Sequence, residues 1–378
     1  MLPAPNSEAL SLADVMQSCL ASIAGRPNRL GLRPVDKAVV LLVDGLGADS
    51  LKARAGHART LAGAMTGNAV IDSGFPTTTA AAIATLTTGT RPGHHGIVGY
   101  SAFDAARRRV VNQLSGWDAQ MNPLTWQPES TLFEAAAADG FDAVVIGPER
   151  YRETGFSKAV LRGARYESAA TIAGRMGRAA ELLQQGSQHC LIYVYVPELD
   201  QVGHAHGQES PSWISALEAT DSEVRHFERA LGPRHGLIVT ADHGMLDIPS
   251  YSHVLFDQVP ALIDGVQFVA GEPRCLQLHF AADASVSQRS RVLEAWHESE
   301  SDRSWVATRH EAIAANWFGP VRPDVESRIG DILVAARKGI AYYDSRAGTS
   351  ARAMVGQHGS WSPAEVRVPL LRFGAYAA

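Results

Sequence analysis

Four short apolar runs constrain this chain more than any other feature. Residues 38–43 read Ala-Val-Val-Leu-Leu-Val and end at Asp44-Gly45. Residues 141–146 end at Gly147-Pro148, residues 191–196 at Pro197, and residues 237–240 run on to Asp242. None alternates polar with apolar residues, so each suits a strand buried on both faces. Helical spacing fills the intervals. Ile172, Met176, Ala180 and Leu183 mark one helix; Trp213, Leu217, Val224, Phe227 and Leu231 mark another that Pro211 opens. Buried strands alternating with helices predict an α/β fold with a mainly parallel sheet. In such sheets function gathers at the carboxyl ends of the strands.

Those ends carry the chemistry here. Asp44 closes the first run, Asp200 and His204 follow the third, and Asp242-His243 follow the fourth. His358 stands between glycines in Gly356-Gln-His-Gly359. Carboxylates and imidazoles are the natural donors for zinc, and manganese or iron fit the same set. Six such residues suffice for two divalent ions. A single Asp after a strand is an ordinary turn or cap residue, so the inference rests on all the pieces reaching one sheet edge. Phe75-Pro76-Thr77-Thr78-Thr79 opens a small-residue helix at 80–88, and a helix N-terminus suits a phosphate. A Thr hydroxyl there is a weak nucleophile until a metal or base deprotonates it. From local sequence alone, helix capping by these threonines explains them equally well.

Composition narrows the partners. Lys plus Arg is 34 against 39 Asp plus Glu, a net charge of −5, which argues against a nucleic-acid polymer as the main partner. With 46% hydrophobic residues the chain is not disordered. No stretch approaches the ~18 apolar residues of a membrane span, and the N-terminus lacks a secretory pattern. Cys19, Cys190 and Cys275 form no CxxC pair, so reduced thiols and a cytoplasmic location are expected. The texture changes between about 251 and 327. Phe268, Cys275, Gln277, His279 and Phe280 suggest short strands, and an amphipathic helix follows near 286–299. The expected organisation is a helical extension at 1–29, a catalytic core at 30–250 plus 328–378, and an inserted α+β lobe at 251–327. The lobe is expected to cover the site and set substrate choice, and the strand-like residues 331–335 are expected to return to the core.

The stretches VVLLVDGLG, FPTTTAAAIATLTTGTRPGHHGIVGY, LIYVYVPELDQVGHAHG, LIVTADHGM and GQHG span about residues 38–360. In that order they resemble the type I phosphodiesterase/nucleotide pyrophosphatase family of the alkaline phosphatase superfamily. The resemblance implies an alkaline-phosphatase-like three-layer sandwich with two metal ions, usually zinc. One ion would take Asp44, Asp242 and His243, and the other Asp200, His204 and His358. Thr79 matches the nucleophile and would also meet the metals, with Thr77 and Thr78 as local rivals. The implied reaction is in-line attack on phosphorus, giving a phospho-threonine that is then hydrolysed. The substrate would be a small phosphorylated molecule, a nucleotide among the candidates. A phosphomonoesterase, a phosphonoacetate hydrolase and a non-catalytic metal-binding scaffold are the alternatives.

Two positions depart from the family pattern. Ala80 stands where related members carry an aromatic residue that stacks on a nucleobase. Gly99 and Tyr100 stand where they carry asparagines, one of which contacts the phosphate. The Tyr100 hydroxyl could donate the same hydrogen bond, or the ring could simply pack. His94, His95 and His206 are not expected to bind metal. A sulfatase is disfavoured because no Cys/Ser-x-Pro-x-Arg motif lies near Thr79, and a cofactor-independent phosphoglycerate mutase because it uses Ser.

Overall fold

Every residue of Lys37–Val43 is buried, as a strand covered on both faces requires. The computed structural model describes residues 1–378 apart from Ser7, Asn68, Gly186, Ala347 and Ala378. The strands of its two main sheets are, in chain order, β1 (Lys37–Val43), β2 (Val70–Asp72), β3 (Asp142–Gly147), β4 (Arg165–Ser168), β5 (Cys190–Val196) and β6 (His235–Thr240). Then come β7 (Val266–Glu272), β8 (Cys275–Phe280), β9 (Ser304–Thr308), β10 (Ile332–Ala336) and β11 (Arg367–Gly374). The helices that matter are α1 (Ala13–Ile23), α2 (Thr79–Thr88), α3 (Ile172–Gln184), α4 (Glu198–His206), α5 (Pro211–Glu228) and α6 (Val286–Glu300).

The central sheet has the order β2-β11-β6-β1-β5-β3-β4. Strands β6, β1, β5, β3 and β4 run parallel, while β11 lies antiparallel to β6 and β2 antiparallel to β11. All four apolar runs are therefore adjacent strands of one sheet. Helix α1 packs on β1 and α2, and α3 packs on β3 and β5. Val15, Met16 and Cys19 of α1 join the main core, so the N-terminal helix is part of the packed body.

The smaller sheet is antiparallel in the order β7-β8-β10-β9, with α6 against it. Strand β10 corrects the expectation for residues 331–335. It pairs with β8 and β9 and does not rejoin the central sheet. Its two faces explain the misreading. Ile332, Val334 and Ala336 enter the lobe core around Trp296, whereas Leu333 and Ala335 enter the main core. A strand buried on both sides looks alike in either sheet.

Polar links hold the lobe to the main body, two of them buried. Gln277 Nε2 donates to the Val98 carbonyl at 2.9 Å. Arg274, in the turn between β7 and β8, meets Glu365 just ahead of β11, and both side chains are fully buried.

Candidate metal centre and cavity

The register of β1 aligns Leu42 with Thr240 and Val43 with Val196, so β1, β5 and β6 end level. Asp44, Asp200 and Asp242 consequently meet at one edge. The approach is close: Gly45 has φ 76°, and a Cβ there would lie 3.1 Å from Asp200 Cα. Asp200 and His204 sit one helical turn apart on α4, on the same face. The loop 356–360, just before β11, brings in His358.

The six residues form two groups of three, Asp44, Asp242 and His243 in one and Asp200, His204 and His358 in the other. Within each group the ligand atoms all lie within 4.8 Å of one another. His243 Nε2 is 3.5 Å from Asp44 Oδ1 and 3.4 Å from Asp242 Oδ2. His204 Nε2 is 3.3 Å and His358 Nε2 3.7 Å from Asp200 Oδ1. The His243 and His358 rings stack at 3.6 Å between centroids, which brings the groups side by side.

The surroundings of these atoms suit divalent cations. Asp44 Oδ1, Asp200 Oδ1 and Asp242 Oδ2 are buried and have no hydrogen-bond partner among the described residues. These three oxygens are the ones aimed at the imidazoles. Each of the three histidines has Nδ1 against a backbone carbonyl: Gly356 for His204 at 2.7 Å, Thr77 for His358 at 2.7 Å, and Gly244 for His243 at 3.1 Å. That contact fixes the tautomer with the Nε2 lone pair facing inward. Tyr195 donates its hydroxyl to Asp44 Oδ2, and the Gly45 N–H donates to Asp242 Oδ1 at 3.1 Å. Without a cation the charges are strained. Burial first, then the charges of Asp242 and Asp200, pushes the Asp44 carboxyl well above its usual range. Burial likewise raises Asp200. Burial and the neighbouring His243 and His204 drive His358 well below its usual value. Divalent ions would relieve all three, because they favour carboxylate and neutral imidazole together.

Among the threonines, Thr79 faces this centre. It is the first residue of α2, and its Oγ1 lies 3.1 Å from His243 Nε2. The Thr77 hydroxyl is committed to the loop of His358: it donates to Ser360 O at 2.8 Å and accepts from the Gly359 N–H at 3.0 Å. Thr78 is the N-cap residue but makes no side-chain cap bond. The helix-capping explanation of these hydroxyls therefore finds no bond to support it.

A cavity of about 590 Å³ opens beside Thr79, Asp44 and Asp200. Its lining comes from residues 114–117 and 145–166 and from β5 and the start of α4, and no described residue of 251–327 contributes. The cavity wall thus comes from the central body. The lobe lies instead against residues 98–100 and the His358 loop, through Gln277 to Val98 and through Glu272, which accepts from the Tyr100 N–H at 2.8 Å. Tyr100 is 42% exposed and outside the cavity lining. His94 pairs with Glu129 and His95 with Thr85, so neither joins the centre, and His206 is exposed.

Several cavity residues went unread in the sequence, above all Tyr193, Tyr195, Trp117 and Tyr151. The signal for the first two was present. They interrupt an aliphatic strand at an interval of two, which places both side chains on one face, and Tyr195, nearer the strand end, reaches Asp44.

Comparisons with known proteins agree with this architecture. Murine ectonucleotide pyrophosphatase/phosphodiesterase 5 superposes with a TM-score of 0.68 at 19% identity, covering 88% of this chain and 87% of that one. Phosphonoacetate hydrolase from Sinorhizobium meliloti superposes with a TM-score of 0.68 at 17% identity, covering 90% and 91%. An uncharacterized pyrophosphatase/phosphodiesterase of Schizosaccharomyces pombe is 26% identical over 181 residues, 45% of this chain and 36% of that protein. The chain thus matches little more than a third of this curated relative's length. Among the described residues no helix is long and apolar enough to cross a membrane. The sequence model for type I phosphodiesterase/nucleotide pyrophosphatase matches residues 38–361, a span that contains all six donors and Thr79, and the chain belongs to that family.

Proposed function

We propose that this chain is a metal-dependent phosphoric ester hydrolase that cleaves a phosphodiester or pyrophosphate bond, with Thr79 as nucleophile. One observation carries the reading: the Thr79 hydroxyl and both donor triads share one sheet edge, and Asp44, Thr79 and Asp200 there line the cavity. Two divalent ions, with zinc favoured by three imidazoles beside three carboxylates, would lower the hydroxyl's pKa and offset phosphoryl charge when bound.

The protein's own groups do the rest. Helix α2 holds Thr79 at its N-terminus, where first-turn N–H groups have no intrahelical partner and favour an anion. Thr79 Oγ attacks phosphorus in line and its proton passes to solvent, while the bond from phosphorus to the leaving oxygen breaks and that oxygen departs with the electron pair, to be protonated by water. Water then cleaves the phospho-threonine and restores the hydroxyl. The wall's polar side chains include Ser115, Arg150, Tyr151, Thr154 and Gln201, and Tyr100 is not among them.

A small phosphorylated substrate is consistent with the neighbours. An inactive variant of the murine relative is described with AMP, and the S. meliloti enzyme with phosphonoacetate. Three buried, unpaired cysteines support a reducing compartment, the cytoplasm.

The test compares bis-p-nitrophenyl phosphate with p-nitrophenyl phosphate on metal-analysed protein, with and without chelator. Faster diester cleavage that chelation abolishes is expected. Thr79→Ala should retain metal and lose turnover by about 10³-fold or more. Undiminished turnover in that variant would remove Thr79 from the reaction, and faster monoester cleavage would make the protein a phosphatase.

A further inference from the structure

The segment that leads into Thr79 is tied to the loop that carries His358. Phe75 stacks on Trp361, with 4.7 Å between ring centroids and 3° between planes. Two residues on, the Thr77 hydroxyl donates to the Ser360 carbonyl at 2.8 Å and accepts from the Gly359 N–H at 3.0 Å. The Thr77 carbonyl faces His358 Nδ1 at 2.7 Å. Residues 75–77 and 358–361 therefore run side by side in opposite directions, and α2 begins two residues later with Thr79.

The loop is fixed at both ends. Gly356 and Gln357 pair with Asp247 and Leu246, and the Ser360 N–H donates to Glu365 Oε1 at 3.0 Å. Between those points, the hydrogen bonds to His358 Nδ1 and to the Gly359 N–H both come from Thr77. Thr77 and Ser360 are 0% exposed, so bulk water cannot take the place of the hydroxyl. His204 and His243 take their Nδ1 contacts from Gly356 and Gly244, outside the segment that leads into Thr79. Of the three histidines, His358 alone is oriented by that segment. Its Nε2 is thereby aimed at Asp200 Oδ1, 3.7 Å away, and at His204 Nε2, 3.2 Å away.

We propose that Thr77 is a positioning residue whose hydroxyl clamps the 358–360 loop, holding His358 in line with Asp200 and His204 and tying that donor group to the nucleophile segment. Removal of the hydroxyl leaves the Gly359 N–H and the Ser360 carbonyl without this partner inside the protein. The loop can satisfy them only by moving, and His358 moves with it. The group of Asp44, Asp242 and His243 contains no residue of this loop and keeps its ion. The inference rests on the metal-binding reading of the two groups.

The test dialyses zinc-loaded full-length protein against graded chelator and measures the zinc retained per chain. Thr77→Val replaces the hydroxyl by a methyl group of similar shape. One ion should leave this variant at about 10–100-fold higher free zinc than in the wild type, and the other at the wild-type level. Thr77→Ser, which restores the hydroxyl, should restore wild-type release. Thr77→Ala carries the same expectation as Thr77→Val and replaces it if that variant does not fold. Thr131→Val is the matched control. The Thr131 hydroxyl is also buried, donates to the Arg162 carbonyl at 2.6 Å and accepts from the Glu134 N–H at 3.1 Å, but Thr131 belongs to neither donor group. Its loss should lower the melting temperature and move neither ion. Unchanged zinc release in Thr77→Val, an equal shift of both ions, or the same shift in Thr131→Val would overturn the proposal. A Thr77→Ser protein that behaves like Thr77→Val would overturn it too. Wild-type protein that takes up no zinc would remove the metal-binding reading and the proposal with it. If the zinc steps behave as expected while no phosphate ester is hydrolysed, the positioning role stands and the catalytic reading fails.

Discussion

The buried pair Arg274–Glu365 offers a demanding test of how the lobe is held to the catalytic body. Both side chains are 0% exposed. Glu365 Oε1 accepts from Arg274 Nε at 2.7 Å and from the Ser360 N–H at 3.0 Å. Its Oε2 accepts from Arg274 Nη2 at 2.8 Å and from the Ser362 hydroxyl. Arg274 Nη1 donates further to the Lys338 and Ile340 carbonyls. Glu365→Gln keeps the shape but removes the counter-charge, and either amide orientation sets an NH₂ against two donors. Removing one member of such a pair costs about 3–5 kcal/mol, because the other charge remains buried. With an unfolding entropy near 2.1 cal/mol/K per residue over 378 residues, that lowers Tm by about 4–6 °C. Calorimetry and urea titration measure the change. Adding Arg274→Met removes the stranded cation, so the double variant should be more stable than the sum of the single losses predicts, by about 2–3 kcal/mol. A Glu365→Gln protein within ~1 kcal/mol of wild type, or strictly additive losses, would refute this account of the pair.

Asp242→Asn should lower bound metal from roughly two ions per chain to roughly one and abolish turnover, since its carboxylate completes one triad; full occupancy by elemental analysis would contradict the ligand assignment. Tyr195→Phe removes the donor to Asp44 and should weaken metal binding about 10–100-fold in a chelator competition, whereas an unchanged affinity would show that this hydrogen bond contributes nothing. Burial raises Glu272 from the usual 4.5 to about 8. Between those values the folded protein holds a proton that the unfolded chain has released, so stability should fall as pH rises through the window, by up to ~1.4 kcal/mol per unit. Glu272→Gln should flatten that slope in denaturation series from pH 5 to 8, and an unaltered slope would exclude Glu272 as its source.

Much of the catalytic edge was legible because its signals are local. An unbroken apolar run such as 38–43, bounded by Lys37 and Asp44, suits a buried strand, and Asp44 and Asp242 stand at or just past strand ends whatever the rest of the chain does. The spacing of Asp200 and His204 places both on one face of any helix. Thr79 could not be separated from Thr77 and Thr78 by residue type. Only the positions of Ser360 and His243, contributed from far along the chain, distinguish their hydroxyls.

The sequence by itself determined the parallel sheet, its acidic carboxyl edge and the six donors, since strand periodicity and turn chemistry act over a few residues. The family resemblance implied how those donors divide into two triads and which threonine meets them, while tertiary packing alone decided which segments wall the cavity. Strand β10 shows why: its alternating faces satisfy two cores at once, and its sheet is chosen by partners at Cys275 and Trp305, not by its own residues. The cavity arises in the same way, where Tyr193, Val145 and Tyr166 become neighbours only once three separate strands align.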